Sequence, residues 1–297
     1  MRTILIYGNC QSGNISRILN SVCEDVNIHT LTQVQRIDKL DYFEEIIPYI
    51  EEADYIITQN ILDVEKTPFK RIIPYMKKDA QVIFFDSLYN IMYHPELITT
   101  NEIQGLLMGK VHDINIIQAF TNHISLKDFL KNDPFERSSF YSKDIYKKMF
   151  ETSVNQLQNR QKKLFQKIDE QTAIKISHID IVPFIKNIYE STQGVYHWGD
   201  QNHPRLPVFI YLVEELMKMM NLQCSDAIEK QFNIETFSGI HRPLYKSAIE
   251  TFDIMDANRM YIFGQEKFSR KEYVEFAYES YANEDKTKLK LLLEQKG

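Results

Sequence analysis

Two short segments of the 297-residue chain carry side chains whose types and spacing could do chemistry. The first is Tyr7-Gly8-Asn9-Cys10-Gln11-Ser12-Gly13. It follows the β-prone run Thr3–Tyr7 and precedes Ile15, Ile18, Leu19 and Val22, which fall at helical spacing. In open α/β sheets ligands bind beyond the carboxyl ends of the strands, and such a turn is a favoured place. Backbone N–H groups at a helix start form an anion site, and Gly8 and Gly13 would let a backbone approach a phosphate closely. No Gly-Lys-Ser/Thr follows, so this is not a Walker loop, and the Gly-x-Gly-x-x-Gly fingerprint is also missing. Cys10 at a helix start would have its thiolate stabilised by the helix dipole and could act as a nucleophile. The alternative is a plain strand–helix turn with Cys10 packed beneath it, Asn9 left-handed, and Ser12 or Asn14 capping the helix.

The second segment is Trp198-Gly199-Asp200-Gln201-Asn202-His203-Pro204-Arg205, just ahead of a helix that starts near Leu206. A carboxylate can orient an imidazole so that its other nitrogen serves as a base. Asp200, three residues before His203, is spaced for that. Pro204 stiffens the turn, and Arg205 could pair with a phosphate or a carboxylate. The alternative is that Asp200 or Asn202 caps the helix and His203 is a surface residue. A third set, Phe84-Phe85-Asp86-Ser87, Tyr93-His94-Pro95-Glu96 and His112-Asp113, could line the same rim or form ordinary polar loops. No His, Cys, Asp and Glu set has metal-ligand spacing. Cys10, Cys23 and Cys224 are too few for a disulfide framework, and Cys23 and Cys224 read as structural.

The elements that must position these residues alternate early in the chain. Thr3–Tyr7, Val26–Leu31, Tyr55–Thr58 and Gln81–Phe85 read as strands, with helical patterns at Ile15–Val22, Tyr42–Ile50 and Phe69–Met76. Pro48 should kink the second helix or set its boundary. Alternation of this kind predicts an α/β fold, a doubly wound parallel sheet flanked by helices. Further on, Ser142–Ile168 reads as one or two helices, Ala173–Ile176 as a strand, Ile181–Tyr189 as a helix, Gly194–His197 as a short strand and Leu206–Met220 as an amphipathic helix. The composition then turns to Glu, Lys, Tyr and Phe, with helices expected at Lys271–Tyr281 and Lys286–Gln295. Tyr273, Phe276, Ala277 and Tyr281 would form a packing face. The reading is an α/β domain over residues 1–222 and a mostly helical C-terminal appendage over 223–297.

Composition narrows the class. With 35 Lys+Arg against 41 Asp+Glu the formal charge is −6, and the excess of acid argues against a general nucleic-acid binder. No run approaches the roughly 18 apolar residues of a membrane span, and the N-terminal apolar stretch is too short for a signal peptide. A cytoplasmic protein with free thiols is expected.

In their order, Gly8-Asn9-Cys10-Gln11, Tyr93-His94-Pro95, His112-Asp113 and Asn202-His203-Pro204 resemble the WcbI-type capsular polysaccharide biosynthesis proteins, described as coenzyme A-binding acetyltransferases. The resemblance spans about residues 1–220, Gly-Asn-Cys-Gln being its most specific part. It implies an acyl-CoA-dependent O-acetyltransferase that takes its acyl group from acetyl-CoA. The acceptor would be a sugar or nucleotide-sugar of capsular or other surface polysaccharide synthesis. On that reading His203, Asp200 and Cys10 are catalytic, and Gly8, Asn9, Cys10, Gln11, Ser12, Gly13, Asn202 and Arg205 bind the cofactor. Tyr93, His94, His112 and Asp113 bind substrate, and no metal takes part. The layout is also similar to the SGNH esterases and acyltransferases, which place Asp-x-x-His-Pro before the last helix, although Cys10 stands where those proteins have serine. Two other readings remain open: an SGNH-like esterase, and a non-enzymatic binding subunit of a polysaccharide assembly system. In the second, the helical tail would be the partner surface, and the tail could equally make a homo-oligomer.

Overall fold

Runs such as Ile4-Leu5-Ile6-Tyr7 have no polar side, so a strand made of them must be covered on both faces. The computed structural model describes residues 1–31, 40–60, 72–100, 111–168, 175–191, 195–223, 232, 239–255 and 260–294. The chain falls into two compact units.

Unit 1 comprises Met1–Leu88, Val154–Ile188 and Arg205–Phe237. Its centre is a five-stranded parallel sheet containing β1 (Arg2–Tyr7), β2 (Val26–Leu31), β3 (Tyr55–Asn60), β4 (Gln81–Asp86) and the strand Lys175–Ile179. The strands lie in the order β2-β1-β3-β4 and then Lys175–Ile179. On one face Leu5, Tyr7, Ile56, Val82 and Phe84 pack against Phe43, Ile46 and Ile50 of the helix Leu40–Glu52 and against Leu164. The helices Cys10–Val22 and Leu206–Met220 pack on each other and on the sheet, burying Ile15, Ile18, Phe209 and Leu212 completely. The expected doubly wound α/β arrangement is therefore the one observed.

Two local expectations need correction. The helix Leu40–Glu52 runs through Pro48 without ending there. Burial of Phe43, Ile46 and Ile50 on one stripe outweighs the missing hydrogen bond, a penalty of about 3 kcal/mol. Of the helix expected at Phe69–Met76, residues 69–71 lie outside the described residues; Ile72 is helical and the 3-10 turn Ile73–Tyr75 follows it. Residues 195–197 form no strand, and Gly194 is outside the described residues; Trp198 makes an isolated bridge with Pro204.

Unit 2 comprises Tyr89–Ser153, Tyr189–Pro204 and Ser238–Gly297. Leu97–Thr99 pairs antiparallel with Val111–Asp113, and Ile240–His241, Tyr261–Phe263 and Glu266–Phe268 form a three-stranded antiparallel sheet. The remainder is largely helical: Ile114–Thr121, Leu126–Lys131, Lys246–Thr251, Arg270–Ala282 and Lys286–Glu294. Ser269 and Glu272 form a capping box that starts the helix Arg270–Ala282. Of its expected packing face, Tyr273, Ala277 and Tyr281 are buried and Phe276 is half-buried. Tyr273, Ala277 and Tyr281 share one aromatic core with Ile116, Ile117, Phe135 and Tyr245.

Candidate functional site

The turn after β1 belongs to unit 1. Asn9 is extended (φ −85°, ψ −162°) and its side chain accepts from the N–H of Gln11 at 2.9 Å, so Asn9 is the N-cap and the helix begins at Cys10. This corrects the left-handed Asn9 and the capping by Ser12 or Asn14; Ser12 and Gly13 lie inside the first helical turns. Cys10, the first helical residue, is exposed, whereas Cys23 is buried and Cys224 lies outside the described residues. The loop is held by two buried amides. Gln59 at the end of β3 accepts from the N–H of Asn9 (2.8 Å) and donates to Gln11 Oε1 (2.8 Å). Gln11 Oε1 also accepts from the N–H of Leu88 (3.1 Å), and its Nε2 donates to the Leu88 carbonyl (3.4 Å). A Cβ on Gly8 would stand 3.0 Å from Gln59 Oε1 and press on the amide that holds the turn. Because β1 lies between β2 and β3, the turn sits where the strand order reverses, the general ligand position of such sheets.

The second site belongs to unit 2. Asp200 is buried, and its Oδ1 accepts from three donors: the N–H of Asn202 (2.8 Å), the N–H of His203 (3.0 Å) and His203 Nδ1 (2.7 Å). The carboxylate thus caps its own turn rather than the helix Leu206–Met220, whose N-cap position is Arg205 with no side-chain bond. Asp200 Oδ2 lies 3.7 Å from Arg242 Nε. Burial alone would raise the Asp200 pKa. The hydrogen bonds and charge of His203, with the charge of Arg242, instead hold it well below the usual carboxylate range. In the neutral ring, with Nδ1–H donated to the ionised Asp200, Nε2 of His203 carries the lone pair. The His203 side chain is 24% exposed, so that nitrogen can be reached from outside. The turn is tightened by Gly199, whose N–H donates to the His203 carbonyl (2.8 Å) and whose carbonyl accepts from the N–H of Arg242 (2.7 Å). A Cβ on Gly199 would fall 2.5 Å from the Ile240 carbonyl oxygen, so the close approach requires glycine.

Tyr93, His94, His112 and Asp113 are also in unit 2, and all four are buried. His94 Nδ1 lies 2.8 Å from Glu96 Oε1, and Asp113 accepts from the N–H of Asn115 and from the Tyr245 hydroxyl, both at 2.8 Å. Burial, then the nearby charge of Glu96, pushes Asp113 up to about 7. His112 Nδ1 is 3.3 Å from the Tyr281 hydroxyl, and the Tyr93 hydroxyl is 3.4 Å from His197 Nδ1. Asn202 is half-buried; Arg205, in unit 1, is 1% exposed.

Sequence reasoning missed Gln59 and Arg242. The one available signal for Gln59 was a polar residue closing the apolar strand Tyr55-Ile56-Ile57-Thr58. Arg242 follows no periodic pattern, and its pairing with Asp200 exists only in the folded chain. Among the described residues no group of three or more His, Cys, Asp and Glu is arranged to hold a metal ion, and no helix is long and apolar enough to cross a membrane.

The sheet order and the turn at its reversal define a doubly wound α/β protein with a ligand-type loop after its first strand. The sequence model of the family described as polysaccharide biosynthesis enzyme WcbI matches residues 3–225, and the chain belongs to that family. Its fold is similar to a solved structure presented as structural insights into WcbI, a novel polysaccharide biosynthesis enzyme. The TM-score is 0.73 at 15% sequence identity, covering 99% of this chain and 94% of that one. Among curated proteins, none matches the chain by sequence.

Proposed function

We propose that this polysaccharide biosynthesis enzyme is an acyl-CoA-dependent O-acetyltransferase whose acceptor is a sugar or nucleotide-sugar, with the cytoplasm as its compartment. The observation that carries the proposal is the imidazole of His203, fixed through Nδ1 by a buried, ionised Asp200 with its other nitrogen left as a base. The related solved structure is described as native protein without a disulfide bond between coenzyme A and one of its cysteines, which supports coenzyme A as the ligand here too.

The residues of the turn after β1 fit such a ligand. The first turn of the helix Cys10–Val22 carries no acidic side chain, and its N-terminal N–H groups favour a phosphate. Gly8, Asn9, Gln11, Ser12 and Gly13 shape that turn, and Cys10 offers an exposed thiol. The buried Arg205 would fix the backbone entering its helix. Acylated coenzyme A supplies an activated acyl group as a thioester. His203 Nε2 would take the proton of the sugar hydroxyl as its oxygen forms the ester bond and the thioester C–S bond breaks, and the imidazolium, stabilised by the charge of Asp200, would pass that proton to the departing thiolate. Cys10 either shapes the turn in a direct transfer or carries the acyl group in a double displacement. Near-normal turnover of Cys10→Ala eliminates the second version.

The test is release of free thiol from acetyl-CoA in the presence of a panel of sugars and nucleotide-sugars. His203→Ala should reduce acceptor-dependent release by about 10²- to 10⁴-fold. Release of acetate from simple esters without any coenzyme A, unaffected by sugars, would replace the transferase by an SGNH-like esterase.

A further inference from the structure

Away from His203 and the Cys10 turn, unit 2 holds a cavity of about 280 Å³ between the helices Ile114–Thr121 and Leu126–Lys131 and the segment 132–140. Its lining is unusually rich in carboxamides: Asn115, Gln118, Asn122 and Asn132. A carboxamide donates and accepts from one planar group, as a pair of neighbouring hydroxyls does. Asn115 Nδ2 already donates to the Tyr141 hydroxyl (2.7 Å) and the Tyr245 hydroxyl (2.9 Å), so its carbonyl oxygen is the remaining acceptor and its orientation is fixed. Asn132 is tied in from both sides: its Nδ2 donates to the Asp128 carbonyl (3.2 Å), and its own carbonyl accepts from Arg137 Nη2 (3.0 Å).

The apolar part of the lining includes Phe129, which is buried, and Phe140, whose ring stacks on Tyr245 at 5.3 Å between centroids. Rigid rings of this kind suit the C–H face of a pyranose. The two charged groups in the lining, Asp128 and Arg137, are of opposite sign, so the cavity favours a neutral ligand over a phosphate or a cation. The turn between Asn122 and Ile124 is held by His123 at φ 61°, a left-handed conformation rare outside glycine. The volume lies just under the about 300 Å³ of the smallest drug-sized sites, room for a single sugar ring.

We propose that this cavity is a saccharide-binding subsite that takes one neutral pyranose unit of the enzyme's sugar substrate or product. The inference rests on membership of a polysaccharide biosynthesis family, not on acyl transfer.

Saturation-transfer difference NMR on the full chain, with methyl glycosides of glucose, galactose and mannose and with N-acetylglucosamine, tests it. The expected result is saturation of the ring protons of at least one probe. Gln118→Ala/Asn122→Ala, two side chains at exposed positions, should weaken its affinity by about fivefold or more. His203→Ala should leave that affinity unchanged. Absence of transfer to every probe, or equal affinity in the double variant, overturns the subsite. Binding lost in His203→Ala but kept in the double variant also overturns it, placing the sugar at the imidazole and leaving the transferase reading intact. If instead the probes bind as expected while coenzyme A does not, the subsite stands and the transferase reading falls.

Discussion

His203 owes its fitness as a base to one oxygen of Asp200. That oxygen ties the imidazole to the backbone of its own turn, at 2.7 Å from Nδ1 and 2.8–3.0 Å from two N–H groups. Asp200→Asn would still offer a carbonyl oxygen, but it would no longer stabilise a protonated ring, so turnover should fall while coenzyme A affinity holds. A kinetic split of that kind is read from saturation curves; a loss of affinity with unchanged turnover would contradict the role. Asp200 and Asp113 should also respond to pH with opposite signs. Asp200 has a depressed pKa, so its contribution to stability is present above the unfolded value and is lost as pH falls through the folded one. Asp113 is raised to about 7, so its contribution is present below the unfolded value of about 3.9 and is lost as pH rises through about 7. Asp113→Asn should therefore lose less melting temperature between pH 5 and pH 8 than the parent chain. Parallel melting curves would show that Asp113 does not titrate in that window.

At the scale of elements, the Cys10 turn is a strand end, a helix start and two amides from neighbouring segments. Gln59→Leu removes the acceptor for the Asn9 N–H and the donor to Gln11, so it should cost about 1–3 kcal/mol in urea unfolding and weaken coenzyme A binding. Gly199→Ala should be worse, because its methyl group would fall 2.5 Å from the Ile240 carbonyl oxygen and would displace the Asp200 turn. An unchanged urea midpoint in either variant contradicts the packing described. Much of this level was legible beforehand. The buried strands of unit 1 announce themselves as continuous apolar runs, and Asp200 and His203 are neighbours in sequence as in space. What was not legible depends on competition between local and tertiary terms. Pro48 reads as a breaker until the buried stripe of its helix is known, and Asn9 reads as a turn residue although its side chain caps the next helix. Gln59 and Arg242 reach their partners only through the register of β3 beside β1 and the pairing of Ile240–His241 with Tyr261–Phe263.

For the molecule as a whole, the change of composition after residue 222 is followed by the passage of the chain from unit 1 into unit 2. Ser238–Gly297 contributes Tyr245, Tyr261, Tyr273 and Tyr281 to the same aromatic cluster as Ile116 and Phe135. Tyr281 is fully buried against His112 and Phe120, and Tyr281→Ala should cost about 3–5 kcal/mol, as large-to-small changes of buried aromatics do. A cost below about 1 kcal/mol, within surface range, would show that the segment is peripheral. The central claim, that this WcbI-family chain uses coenzyme A, is tested most directly by calorimetric titration with coenzyme A beside dephospho-coenzyme A, which lacks the 3′-phosphate. The account predicts micromolar binding that weakens when that phosphate is absent. No binding of either compound would contradict it.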